Sequence, residues 1–97
     1  MKKWKILIAD DEPDNISVLK RKLGRRDFTF LTAENGRQVL EILENPLHQN
    51  IDLVLMDISM PELDGYETIR EIRKNPMYAC FKDVLIVAVT AYAMVGD

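Results

Sequence analysis

The sequence predicts an α/β fold, a doubly wound parallel sheet with helices on both faces, and three observations carry that expectation. Short unbroken apolar runs alternate with segments whose apolar residues recur at spacings of three and four. Asn35-Gly36, Asn45-Pro46 and Asn75-Pro76 punctuate the joints between them. Two of the apolar runs stop abruptly at carboxylates, Asp10 and Asp57. A strand-helix-strand series of this kind packs as right-handed crossovers onto a parallel sheet.

Taken in order, Ile6-Leu7-Ile8-Ala9 is a continuous apolar run ending in Asp10-Asp11-Glu12, the pattern of a strand buried on both faces whose carboxyl end meets solvent. Pro13 suits the first turn of a helix, Ile16, Leu19 and Leu23 follow at helical spacing, and Gly24 is placed to end it. Phe28 to Ala33 is aromatic and β-branched enough for a second strand. Asn35-Gly36 reads as a turn into a second amphipathic segment carrying Val39, Leu40 and Leu43, which Asn45-Pro46 closes. The run Leu53-Val54-Leu55-Met56 leads to Asp57. Tyr66, Ile69 and Ile72 mark a third helix, ended by Asn75-Pro76, and Val84 to Val89 forms a fourth strand leading to Thr90. Only Ala91 to Asp97 follow.

Ninety-seven residues is the size of one domain, and 47% hydrophobic with 30% charged residues is an ordinary globular composition. The 13 Lys and Arg are scattered among 16 acids, for a net charge of −3, so no basic stripe is present to hold a nucleic-acid backbone. The lone Cys80 has no internal disulfide partner. The run Ile6 to Ala9 behind Met1-Lys2-Lys3-Trp4-Lys5 is too short for a signal peptide or a membrane span, so the expected compartment is the cytoplasm.

In open parallel sheets the binding site lies outside the carboxyl ends of the strands, where strand order reverses. Asp10-Asp11, Asp57 and Thr90 stand at three strand exits and converge there if the first, third and fourth strands are neighbours. Carboxylates so gathered repel one another and favour shared protons or a bound cation. With oxygen ligands and no His or Cys nearby, the chemistry points to Mg²⁺ (or Mn²⁺) and away from zinc. Asp57 is then a possible nucleophile that forms an aspartyl phosphate, and the Thr90 hydroxyl and the backbone N–H of Ala91 are placed to hydrogen-bond the phosphoryl oxygens.

Plainer readings stand beside these. An Asp-Asp pair after a strand is, alone, a solvated turn or a helix cap. A calcium loop from Asp10 is excluded because its sixth position is Asn15 and its twelfth Arg21. His48, in the polar loop from Pro46 to Asn50, reads as an ordinary exposed residue, and Cys80 and the methionines as packing residues. Ser59 is either surface filler or a neighbour of the phosphoryl site, and Tyr92 either packs or faces that site.

The stretches Ile6 to Pro13, Asp52 to Pro61 with Asp64-Gly65, and Val89-Thr90-Ala91 closely resemble the response-regulator receiver family. The resemblance implies a flavodoxin-like sheet of order 2-1-3-4-5. It also implies that Asp57 is the phosphoacceptor, and that Asp11, Asp57 and the main-chain carbonyl of Ser59 ligate Mg²⁺. Asp10 supports the metal through water, and Thr90 is the switch hydroxyl. The phosphodonor implied is a phosphohistidine on a sensor histidine kinase or phosphotransfer protein, and the chain is then a signalling domain that assists only its own phosphorylation and dephosphorylation. Family members continue through helix 4, a strand 5 with a Lys-Pro and a switch aromatic, and helix 5. Residues 1 to 97 are therefore expected to be a receiver domain lacking most of these. Lys20, Lys22, Lys74 and Lys82 do not occupy the matching lysine position, so impaired phosphoryl transfer is expected. The strand from Val84 to Val89 becomes a sheet edge, expected to pair in a homodimer or swapped oligomer. Two rival readings are an assembly module that works without phosphorylation and an aspartate-nucleophile phosphatase. The second resembles a pattern with another Asp two residues after the nucleophile, where Ser59 stands here.

Overall fold

The computed structural model describes residues 3–24, 27–48, 50–58 and 64–89. Alternation in the sequence becomes alternation in space: β1 (Trp4–Ala9), α1 (Pro13–Leu23), β2 (Phe28–Ala33), α2 (Gly36–Glu44), β3 (Leu53–Asp57), α3 (Gly65–Lys74) and β4 (Leu85–Val89). Two 3-10 segments, Pro46–His48 and Pro76–Phe81, lead into β3 and β4. All strand pairs are parallel and the order is β2-β1-β3-β4, as the sequence predicts for its first four strands. The chain leaves β1 for β2 on one side and returns to place β3 on the other, so the order reverses between β1 and β3.

Because side chains alternate across a strand, the apolar runs feed two separate cores. Ile6, Ile8 and Leu55 face α1, whose Ile16, Leu19 and Leu23 close over them with Phe28, Phe30 and Leu53. Leu7, Ala9, Val54 and Met56 face the opposite way and meet Val39 and Leu43 of α2, Ile72 of α3, and Tyr78 and Phe81. This is why β1 needs four consecutive apolar residues: both of its faces are covered. Register at the amino end is pinned by Asp52, whose carboxylate accepts the Lys5 N–H at 2.8 Å while its own N–H donates to the Lys5 carbonyl at 2.8 Å.

Helix ends follow local chemistry. Gly24 ends α1 with a φ of 82°, a value that favours glycine. Asn35-Gly36 turns the chain into α2, as the sequence predicts, and Asn35 caps that helix, accepting the Gln38 N–H at 2.8 Å, while the Gln38 side chain accepts the Glu34 N–H at 2.8 Å. Tyr66 stands in α3, the helix that it marks in the sequence. It is 60% exposed, because the helix buries Gly65, Thr68 and Ile72, a stripe that leaves Tyr66 on the flank.

The 3-10 segment Pro76–Phe81 is not foreseen by the sequence, since neither a period of two nor one of 3.6 describes it. Tyr78 and Phe81 fill the core beneath α2 and α3, and Arg73 Nη1 holds the segment's end through the carbonyls of Lys82 at 2.6 Å and Phe81 at 3.3 Å. The Tyr78 hydroxyl donates to Glu44 at 2.8 Å; burial, then the Glu44 carboxylate, pushes its pKa up to about 12. Cys80 and Met77 of the same segment are exposed and so are not packing residues, whereas Met56 is fully buried. His48 is half-buried and not exposed, because the tight turn at Pro46–His48 folds it inward; its Nδ1 is buried with no partner among the described residues.

Among the described residues β4 is a sheet edge and is only partly covered. Ile86 packs on the α2-α3 side, while Leu85 and Val87 are 63% and 40% exposed. No helix among the described residues is long and apolar enough to cross a membrane.

The tightest joint in the fold is where α3 starts. A Cβ on Gly65 would lie 2.6 Å from the Asp57 carbonyl oxygen and 2.6 Å from the Ile58 Cα, both backbone atoms with little room to yield. Gly65→Ala is expected to destabilise the fold by about 1 to 3 kcal/mol. Urea unfolding would show this as a lower midpoint with unchanged slope; an unchanged midpoint would mean that the helix start does not rest on the strand end.

Candidate functional site

β1 and β3 run side by side from Ile6↔Leu53 to Ala9↔Met56, so the residues that follow, Asp10 and Asp57, emerge together at the carboxyl edge of the sheet. Asp11 stands one residue beyond. A carboxylate oxygen from each of Asp10, Asp11 and Asp57 lies within 4.8 Å of the others. The point where strand order reverses therefore carries a triple-carboxylate rim, as the sequence predicts.

The three side chains differ in environment. Asp10 is 2% exposed: its N–H donates to the Ala33 carbonyl at 2.9 Å and its Oδ1 accepts the Glu12 N–H at 2.9 Å. That bond serves the start of α1, because Glu12, at the N-cap position, makes no side-chain cap of its own. Asp57 is 9% exposed at the end of β3, and Asp11 is exposed. Burial pushes the Asp10 carboxyl above its ordinary value, and the negative charges of Asp57 and Asp11 push the same way; the Glu12 N–H and the Asn15 side chain oppose them. Sequence reading does not single out Asn15 as a site residue. Its signal is faint, a polar residue in the first turn of α1.

The Asp57 side of the rim is framed by α3. Asp64 caps that helix by accepting the Glu67 N–H at 2.8 Å, its carbonyl accepts the Thr68 hydroxyl at 2.8 Å, and Gly65 lets the helix start rest on the Asp57 main chain. β4 pairs with β3 as far as Asp57↔Val89, which brings the residue before Thr90 beside Asp57. Thr90, Ala91, Ser59 and Tyr92 lie outside the described residues, as does Met60-Pro61. Chemically, the described rim offers oxygen donors only, with excess negative charge and one well-fixed buried carboxylate. Such a set suits a hard divalent cation.

The response regulator receiver domain family matches residues 6–97, and the chain belongs to that family, the receiver domains of two-component signalling. The probable transcriptional regulator ycf27 of Guillardia theta is 38% identical over 96 residues, covering 98% of this chain and 34% of that protein. A probable cyclic di-GMP phosphodiesterase of Vibrio cholerae is 46% identical over 71 residues, 73% of this chain and 15% of its own length. The chain thus spans about a third or less of these curated relatives. The crystal structure of response regulator protein TrrA from Thermotoga maritima, in complex with Mg(2+)-BeF, superposes with a TM-score of 0.73 at 39% identity, covering 97% of this chain and 73% of that one.

The carboxylate rim has a cost that can be measured without any metal. Asp10 holds its proton more tightly folded than unfolded, so the stability it contributes is present below the ordinary value of 3.8 and is lost as pH rises through its higher native value. Asp57→Asn removes one repelling charge and is expected to stabilise the chain in chelator at neutral pH by about 1 to 2 kcal/mol. Denaturation curves across pH check the sign: the gain should fade as acid protonates Asp10, and a loss of stability at neutral pH would contradict the electrostatic account.

Proposed function

We propose that this chain is the phosphoacceptor of a two-component phosphorelay, taking a phosphoryl group onto Asp57 from a phosphohistidine of a sensor histidine kinase or phosphotransfer protein. The observation that carries this reading is the meeting of Asp10, Asp11 and Asp57 within 4.8 Å at the reversal of strand order. Asp11, Asp57 and the main-chain carbonyl of Ser59 would hold Mg²⁺ (or Mn²⁺), with Asp10 supporting it through water. When bound, the cation neutralises charge on the transferring group.

The rest of the chemistry belongs to the chain. An Asp57 carboxylate oxygen attacks phosphorus as the bond from phosphorus to the donor imidazole breaks; the electron pair leaves on the imidazole, which takes up a proton, and an acyl phosphate remains on Asp57. Asp10, held by the Glu12 N–H, keeps one wall of the rim fixed. The Thr90 hydroxyl and Ala91 N–H are assigned to the phosphoryl oxygens. Residues 90 to 97 contain no Lys or Arg. Lys82 precedes β4 and stands at the opposite end of that strand, about 16 Å away at the usual rise per residue. A side-chain cation brought to the rim is expected to speed transfer by about 10²- to 10³-fold.

Two readouts test this together. Millimolar Mg²⁺ should raise the melting temperature of the wild-type chain and do so less in Asp11→Asn and Asp57→Asn. Intact mass after treatment with a small-molecule phosphodonor should show one added phosphoryl group in the wild type, slowly, and none in Asp57→Asn. No Mg²⁺ response, or label that persists without Asp57, would overturn the reading and favour an assembly module independent of phosphorylation.

A partner surface follows from β4. The strand Leu85–Val89 contains none of the Pro, Lys or bulge devices that blunt an edge, and its exposed Leu85 and Val87 lie beside that edge. Pairing of β4 with β4 of a second copy in antiparallel sense would continue the sheet under a two-fold axis. Light scattering is expected to give a dimer for the 97-residue chain and a monomer for Val87→Lys. A wild-type monomer at high concentration would contradict this pairing.

A further inference from the structure

A groove lies away from the carboxylate rim, between α2 and α3. It encloses about 510 Å³ over a floor that includes Leu40, and its rim carries Arg37, Glu67, Arg70, Glu71 and Lys74. Four of these belong to α3 and recur at i, i+3, i+4 and i+7, so they form one stripe along the helix, opposite the buried Thr68 and Ile72. All four are exposed. Neighbouring Arg73 is not part of the stripe, being committed to the Lys82 and Phe81 carbonyls.

The order of charge along this stripe is acid, base, acid, base. Laid antiparallel against a copy of itself about a two-fold axis between residues 70 and 71, it matches at every position: Glu67 meets Lys74 of the second copy, Arg70 meets its Glu71, and symmetry repeats both pairs. Parallel alignment in register would set like against like throughout. We propose that α3 is a self-recognition surface through which two copies of this chain associate, antiparallel and in that one register, with Leu40 adding apolar contact at the groove. This surface is separate from the phosphoryl reading and from the β4 edge.

Magnitude shapes the expectation. Exposed ion pairs are individually weak and screened by salt, so the association is weak, favoured at low ionic strength and lost as salt is raised past about 0.15 M. Arg37 leaves each groove with one surplus positive charge, three cations against two acids. Two grooves therefore repel at long range, and attraction arises only in the matched register, which gives selectivity over strength.

A charge-swap experiment decides it, read by analytical ultracentrifugation at low salt in a Val87→Lys background that removes pairing through β4. Glu67→Lys and Lys74→Glu should each weaken self-association by about tenfold, because symmetry applies every change twice. Mixed in equal amounts, the two variants should associate as tightly as the parent. The Glu67→Lys site of one then faces the Lys74→Glu site of the other, and the unchanged Lys74 of the first faces the unchanged Glu67 of the second. Circular dichroism melts establish that each variant is folded before it is compared. A parent chain that stays monomeric at millimolar concentration, single variants that associate like the parent, or a mixture no tighter than the singles would each overturn the proposal.

Discussion

Everything at the functional end of this molecule depends on β1 and β3 lying side by side, in parallel and in one register. Parallel neighbours end at the same edge of a sheet, so residues that directly follow them must emerge together. Shifting β3 by one residue would turn Asp57 to the other side of the sheet from its present facing and break both apolar layers. The reciprocal bonds of Asp52 with Lys5 fix that register at one end, and the two apolar layers fix it along the strands. Fold and site thus have the same cause.

The carboxylate rim opposes this stability. Asp10 is buried in the company of two other acids, and among the described residues the Glu12 N–H and Asn15 offset the penalty. The fold tolerates the cost because the surroundings are rigid: Asp10 is tied to β2 through Ala33, and the start of α3 rests on the main chain of Asp57 through Gly65. A proposed cation at the rim would relieve the repulsion, which gives binding a natural coupling to stability. The three acids are not equivalent: Asp10 is the fixed and buried member, Asp11 the accessible one.

Much of this was legible in the sequence because the responsible signals are local. The four strands show as apolar runs, Gly24 and Pro13 mark the ends of α1, and the halt of two runs at Asp10 and Asp57 announces the rim. What escaped depends on contacts distant in sequence. Nothing near Asp52 says that it will bond Lys5, 47 positions away. Pro76–Phe81 reads as a connection, yet it carries Tyr78 and Phe81 into the core through bonds to Glu44 and Arg73. Tyr66 marks α3 by its spacing, but which residues of that helix are buried depends on packing, and the small Gly65 and Thr68 are the ones that pack closely with Ile72. Asn35-Gly36 announces the turn into α2, while the capping bond from Asn35 adds what the dipeptide alone does not say.

The ends of β1 and β3 together form the proposed cation-binding rim. Paramagnetic broadening by substoichiometric Mn²⁺ tests it residue by residue in an amide NMR spectrum, because the effect falls steeply with distance from the ion. Asp10, Asp11, Glu12, Asp57 and Ile58 are expected to broaden first, while α2 and the amino ends of the strands remain sharp. Broadening centred elsewhere on the chain, or uniform across it, would contradict the account.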